Sequence, residues 1–424
     1  MKVQTSNRRV LIIVQNLPVP FDRRVWLECG SLTQAGYAVS VVCPKAPGDP
    51  SYAVLDGVEL YKYRPYTSNG SRASFIGEFL YSFLATLWLS LKAARRGRFA
   101  VVQSCNPPDI FWPIGILFRW LYGSRFVFDH HDLCPETYVC RYPSGAKSLL
   151  RALLFLERQT IRNADHVIAT NDSYRDLDIN RNGIDPERVT VVRTGPDPQK
   201  LRRTAVDEDV RAGRDCVVVY IGVMGPQDGV DIVIDVADII VHEFGRKDIG
   251  FVLIGSGECL EGLLEERDRL GLEEFVEFTG RIPDETVAAI MSSADVGISP
   301  DPKNSLNEFC TMNKTMEYMA FELPLVAFDI RETKVSAAGA ALYAQPNDRH
   351  ELARAVVELA DDPSLRRSMG AMGRRRVELE LAWTHQAPRY VGVYDQVCKV
   401  HRPESARSGV SHADQLPLET PRTD

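Results

Sequence analysis

Short β-branched runs alternate with longer helical stretches, and the series runs once through the first half of the chain and starts again in the second. In the first half, residues 10–14, 39–43, 100–103, 126–129, 166–169 and 189–192 read as strands, and 26–35, 75–94 and 149–163 as helices. The second series has strands at 217–221, 250–254, 276–279, 296–299 and 324–328. Helical spacing falls at 230–244, 259–270, 284–293, 311–321 and 349–360. Strand and helix in alternation build parallel sheets covered by helices. The run 217–221 is apolar without alternation, as suits a strand buried on both faces. Two such series predict an α/β chain of two Rossmann-like domains, which 424 residues comfortably fill. The joint is expected at 196–215, which holds Pro196 and Pro198 and few apolar side chains. This divides the chain into domains at 1–198 and 199–382, a closing helix at 383–400 and a polar, aperiodic tail at 401–424, expected to be disordered.

Composition narrows the function classes. A net charge of -7 gives no global basic field for gripping nucleic acid. Nine scattered cysteines form no CxxC pair, the usage of a reduced, cytoplasmic chain. The first apolar run is five residues long before Gln15 and Asn16, too short for a secretion leader.

The segment richest in chemistry is Ser305-Leu-Asn-Glu308-Phe-Cys-Thr-Met-Asn313-Lys314-Thr-Met-Glu317-Tyr-Met-Ala320, a loop entering a helix. With Thr311 as N-cap, the free amides and dipole of the first turn favour an anion. Lys314 in that turn opposes the dipole, which an anionic partner would offset. Glu317, one turn on, suits a pair of hydroxyls such as those of a ribose, and Glu308 another polyol. The competing reading is a solvated Lys314–Glu317 pair on an ordinary helix surface.

The strand 217–221 runs into Gly222-Val-Met-Gly225-Pro-Gln-Asp-Gly229, whose glycines permit close approach to a phosphate or merely a tight turn. Gly255 and Gly257 follow the next strand without the third glycine of a dinucleotide site, and Gly280-Arg281 follows another. All these loops lie at strand carboxyl ends, where open α/β sheets bind ligands. In the first half, Asp129-His130-His131-Asp132 leaves a strand end. Neighbouring residues there point to opposite sides, so the two histidines do not share a metal, and one histidine held by a carboxylate can instead bond a sugar hydroxyl or cap a turn. Asp22, Arg23 and Arg24 read as a surface helix start, and Asn106-Pro-Pro-Asp109 offers no derivable role.

The 305–320 segment, with its TMNK–EYMA core, resembles the double-glutamate signature of retaining GT-B glycosyltransferases of the family-4 type, in a bacterial surface-polysaccharide branch. The resemblance spans nearly all of the chain before the tail. It implies a GT-B fold, two Rossmann-like domains with parallel sheets facing a cleft, with the closing helix returning to the first domain. It also implies a nucleotide-diphosphate-sugar donor, no obligatory cofactor or metal, and a saccharide or lipid-linked saccharide acceptor. Glu317 then holds the ribose, with Asn313 and Lys314 beside it, and Lys314 and the amides of Gly222 and Gly225 face the diphosphate. Gly255 lies nearby, Arg281 faces the base, Glu308 the donor sugar, and His131 stands beside that sugar with His130 as its substitute. The sequence departs from the family at Phe309, where the first glutamate is expected, at Val223, where an arginine is expected, and near a lysine position at Gln227-Asp228. A GT-B epimerase or hydrolase, or a non-catalytic GT-B subunit, remains open.

Residues 75–98 form an unusually apolar helix ending in Lys92, Arg95, Arg96 and Arg98, with Glu78, Ser82, Thr86 and Ser90 in one narrow stripe. It suits a helix packed on the sheet, or a peripheral membrane contact with anionic lipid at the inner face of the plasma membrane.

Overall fold

The computed structural model describes residues 8–66 and 72–398; the expected tail at 401–424 and the last two residues of the closing helix lie outside them. The first sheet holds β1 (Arg9–Ile13), β2 (Ala38–Pro44), β3 (Tyr52–Leu55), β4 (Val58–Tyr63), β5 (Val101–Cys105), β6 (Arg125–His130), β7 (His166–Ala169) and β8 (Val189–Val191), in the order β3-β4-β2-β1-β5-β6-β7-β8. The second holds β9 (Cys216–Val223), β10 (Ile249–Ser256), β11 (Val276–Gly280), β12 (Val296–Ser299), β13 (Leu325–Phe328) and β14 (Ala341–Ala344), in the order β11-β10-β9-β12-β13-β14. The second sheet is wholly parallel, with Val217 opposite Gly250 and Ile221 opposite Ile254. The architecture is two α/β domains, the second sheet wholly parallel and the first parallel except at one edge.

Why these segments become central strands is plain from their side chains. Val10 to Ile13 and Cys216 to Tyr220 are buried on both faces, so each bulky branched residue meets a helix above or below the sheet. The helix Trp383–Cys398 runs back to the first domain. Its Trp383, Tyr390 and Tyr394 join the core formed by Val10, Val25, Cys29 and Leu32, and Trp383 Nε1 donates to Ser31 Oγ at 2.9 Å.

The first sheet is not uniformly parallel. β3 and β4 form an antiparallel hairpin that the alternation did not predict. Asp56 and Gly57 both have positive φ, 48° and 79°, which closes a two-residue turn of the type that pairs strands most tightly. β14 was also unexpected, because Ala341-Leu-Tyr-Ala344 lacks the β-branched signal.

The helix Arg72–Ala94 packs on β2 and β4 with its sidedness inverted. Its polar stripe turns inward: Ser82, Thr86 and Ser90 are buried, and the Thr86 and Ser90 hydroxyls have no hydrogen-bond partner. Ile76, Leu80, Leu84 and Trp88, one per turn, face outward, with Ile76 67% and Trp88 62% exposed. No helix among the described residues is long and apolar enough to cross a membrane.

Candidate active site

The carboxyl ends of both sheets meet across one cleft. On the second domain, β12 leads through residues 300–312 into the helix Asn313–Ala320. The chain is extended at Met312, so Met312, not Thr311, precedes the helix, and it provides no side-chain cap. Thr311 is drawn to the first domain instead, where its hydroxyl accepts from Asn171 Nδ2 at 3.0 Å. Asn313 opens the helix and is exposed. Lys314 follows, buried, with Nζ 2.6 Å from Asp301 Oδ1 and 5.1 Å from the Tyr220 ring centroid. Burial works against its charge, but Asp301 outweighs burial and holds the Lys314 pKa above the ordinary lysine value.

Lys314 and Glu317 therefore do not form a solvated pair. Glu317 lies 3.5 Å from Arg23 Nη1 of the opposite domain, and burial pushes its carboxyl up while Arg23 pulls it down. Glu308 lies 3.5 Å from Lys303 Nζ, and its buried Oε2 has no hydrogen-bond partner. Phe309 explains the departure at its position: with Leu306 and Cys310 it packs on the first-domain cluster of Phe126, Phe128 and Tyr174. An apolar anchor between domains takes the place of a carboxylate.

Two glycines are required by close approach. Gly255, at φ 138°, lies so near the Gly222 carbonyl that a β-carbon would collide with it. A β-carbon on Gly222 would come 2.9 Å from the Tyr220 hydroxyl and 3.6 Å from Lys314 Cε. The ends of β9 and β10 are thus pinched together beside Lys314. In the following loop, Asp228 Oδ2 accepts from the Gly225 amide and from Gln227 Nε2, each at 3.0 Å. Arg281, after β11, is exposed and stacks on Phe21 of the first domain at 4.5 Å.

On the first domain the two histidines take opposite roles. His130 is fully buried, packed between Phe128 and Tyr174, with Nδ1 2.8 Å from Asp178 Oδ1. Burial disfavours its charge, yet Asp178 prevails and raises its pKa to about 9. His131 is the partly exposed member, its Nε2 2.5 Å from Asp129 Oδ2. With Nε2 tied to Asp129, Nδ1 is the ring nitrogen left for other partners. Asn106, which had no role in sequence, holds this turn: its Oδ1 accepts from the His131 amide at 2.6 Å and the Asp132 amide at 3.1 Å.

Beneath His131 lies Arg24. Rather than marking a surface helix start, it is buried, donating to Asp129 Oδ1 at 2.9 Å, Val192 O at 3.0 Å and Thr194 Oγ1 at 2.9 Å. Cys105, Asp129 and His131 bring potential metal ligands within 4.8 Å of one another. The Arg24 guanidinium occupies that neighbourhood, with Nε 3.0 Å from His131 Nε2, so a cation is already in place there.

The structure thus brings Gly222, Gly225, Gly255, Arg281, Asn313, Lys314, Glu317 and Glu308 to one side of the cleft and His131 to the other. Sequence reasoning gave no role to Asp301 or Arg141 and read Arg23 only as a helix start; Arg23 and Arg141 meet partners far along the chain, and Arg23 also donates to Asp284 Oδ1 at 2.8 Å.

Two Rossmann-like domains with glycine loops at the strand carboxyl ends make the GT-B fold of glycosyltransferases. Residues 22–195 match the family model of the glycosyl transferase 4-like domain, and residues 215–362 that of the group 1 glycosyl transferases. The two matches take in the second sheet and all of the first but β1, and the chain belongs to the group 1 GT-B family. The fold is similar to that of sucrose-phosphate synthase from Thermosynechococcus elongatus, with a TM-score of 0.72 at 18% identity over 92% of this chain and 99% of that one. HepE from Anabaena, solved with UDP and glucose, gives 0.66 at 15% identity over 92% of this chain and 100% of that one. α-D-Kanosaminyltransferase from Streptomyces kanamyceticus is 24% identical over 57% of this chain and 63% of its own length. The match thus spans less than two thirds of that curated relative.

Proposed function

We propose that the chain is a retaining glycosyltransferase that moves a sugar from a nucleotide-diphosphate donor to a polysaccharide or lipid-linked glycan precursor. The observation that carries this reading is the convergence of Lys314, Glu317 and the pinched glycine loop at the strand ends of the second domain. Glu317 binds the ribose hydroxyls, Lys314 and the loop amides take the diphosphate, Arg281 lies at the base end and Glu308 at the sugar. The leaving phosphate gathers charge as the glycosidic bond breaks, so fixed donors around it lower the barrier more than they tighten ground-state binding. His131, held by Asp129, meets the sugar across the cleft, and water is excluded as the domains close. Retention is supported by the resemblance of residues 305–320 to retaining enzymes. The UDP bound to HepE is that protein's ligand and supports a nucleoside diphosphate here.

Purified chain in a thermal-shift screen against UDP, GDP, ADP, TDP and their sugars tests the donor site. At a hundredfold excess over Kd a ligand specific to the folded state adds about 2.7 kcal/mol of apparent stability. One nucleotide should shift the transition clearly; no shift with any of them sinks the reading. Donor breakdown without an acceptor would favour a hydrolase instead.

The outward row Ile76, Leu80, Leu84 and Trp88 supports a peripheral contact with an anionic membrane, which would bring a lipid-linked acceptor to the cleft. Lys92, Arg95 and Arg98 are exposed at the basic end of the same helix, and Lys92 Nζ lies 5.3 Å from the Trp88 ring. Apolar burial and attraction to anionic lipid act together on such a face. The chain is expected to float with phosphatidylglycerol vesicles and not with phosphatidylcholine. Leu84→Glu with Trp88→Glu, both at exposed positions, should abolish flotation; undiminished flotation, or none by the unaltered chain, would refute the contact.

A further inference from the structure

We propose that Arg141, on the first domain, supplies across the cleft the cation that the 222–229 loop lacks for the donor's diphosphate. The inference rests on the donor-site reading above and extends it to a residue of the opposite domain.

The charge count at the loop sets the problem. Its own candidates for a cation are Val223 and Gln227-Asp228, none of them positive. Lys314 is already matched by Asp301 at 2.6 Å, and Asp228 adds a further negative charge. A diphosphate entering here needs another cation. Arg23 is engaged at the Glu317 end with Asp284 at 2.8 Å, Lys303 lies against Glu308 at 3.5 Å, and Arg281 stacks on Phe21.

Arg141 stands at the right place. It ends the helix Cys134–Arg141, which begins three residues after His131, and its guanidinium crosses the cleft. Nε donates to Gln227 Oε1 at 3.3 Å and Nη2 to Glu258 Oε1 at 2.7 Å. Glu258 lies just past Gly255 and Gly257, so Arg141 spans both glycine loops. Burial pushes the Asp228 carboxyl between them up, while Lys314 and Arg141, both near enough to act on it, pull it down. It also accepts from the Gly225 amide at 3.0 Å, so that amide points into the space between the two loops.

Exchange of partners is cheap. Arg141 and Glu258 are 35% and 57% exposed, and a pair so open to water is weakly held. A guanidinium offers a planar fork that meets phosphate oxygens two at a time, which a carboxylate at one oxygen does not use fully. Because Arg141 belongs to the first domain, its contact with the diphosphate would also draw the domains together over the donor.

A purely structural account is that Arg141 satisfies its helix C-terminus and ties the domains through Glu258. Binding titrations of the full chain distinguish the two. The probe is whichever of UDP, GDP, ADP or TDP binds tightest, compared with its nucleoside. Arg141→Ala should weaken the diphosphate roughly 10- to 100-fold, the range of a charge-assisted contact, and leave the nucleoside within about twofold. Arg141→Lys should restore part of the loss. Glu258→Gln, which breaks the same ion pair but keeps the cation, should leave diphosphate affinity equal or tighter. Unchanged affinity in Arg141→Ala, an equal loss for the nucleoside, or the same loss in Glu258→Gln would overturn the proposal while leaving the donor site standing. An unaltered chain that binds none of the four overturns both.

Discussion

Glu317→Ala is expected to lower affinity for the nucleoside diphosphate by about one to two orders of magnitude and to remove measurable transfer. A carboxylate that accepts from two ribose hydroxyls forms two charge-assisted bonds, each contributing about 1.5–3 kcal/mol where water is excluded. The full sum is not realised, because Glu317 already has Arg23 at 3.5 Å and donor binding exchanges one partner for another. The Arg23 side chain is 61% exposed, so breaking that pair costs little stability, and the thermal midpoint without ligand should move by only a few degrees. Loss of binding in a folded variant is then a loss at the site. A 2′-deoxy nucleotide sharpens the test: it should bind more weakly than its ribose counterpart to the unaltered chain, and equally in Glu317→Ala, since the deleted partners are the same pair. Affinity unchanged by the substitution, or a deoxy penalty that persists without the carboxylate, would remove Glu317 from the ribose site.

How much of this was readable beforehand depended on the range of the interactions. Doubly buried strands announce themselves through uninterrupted apolar runs, so 217–221 and 10–14 were visible at once. The β3–β4 hairpin was equally visible in principle, because Asp56-Gly57 is a strong turn signal, but Tyr52, Val54 and Leu55 are exposed and offered no core pattern. Lys314 and Glu317 were singled out because a helix start and its spacing are local facts, and the family resemblance supplied the roles proposed for them. The groups that complete their surroundings were not: Asp301 is 13 residues from Lys314, and Arg23 is about two thirds of the chain away from Glu317. Arg24 is the sharpest case. Local pattern places a charged residue at a helix start on the surface, and only the tertiary fold supplies the buried Asp129 that draws it inward. Phe309 shows the reverse, since its mismatch with the family becomes intelligible once it is seen to anchor one domain on the other.

That buried centre should be the most sensitive point of the first domain. Asp129→Asn is expected to destabilise the fold by about 3–5 kcal/mol, because it leaves the Arg24 guanidinium in the interior without its counter-charge. The carboxylate is fully buried and takes bonds from Arg24 Nη2 at 2.9 Å and His131 Nε2 at 2.5 Å. Glu28 Oε1 is 3.1 Å from Arg24, but burial and Asp129 push its carboxyl well above the usual range, so in the unaltered chain Asp129 carries the counter-charge. Burial opposes the Asp129 charge too, but Arg24 and His131 overcome it and hold its pKa far below the ordinary carboxylate value. The sign follows: a depressed folded-state pKa means its contribution is intact above the usual carboxylate range and is lost as pH falls below it. Urea denaturation at neutral pH, followed through the first-domain transition, measures the loss. A change under about 1 kcal/mol would mean that Arg24 finds another partner or water, and that the network is not a sealed ion pair. The pair Arg24→Met with Asp129→Leu separates stability from chemistry. Replacing both charges by apolar groups should recover much of the stability lost in the single variant. It should not recover transfer, because His131 Nε2 would no longer have the carboxylate that fixes its tautomer and ring orientation. Full activity in that apolar double variant would show that His131 needs no such support, and would leave Arg24 and Asp129 a purely structural pair.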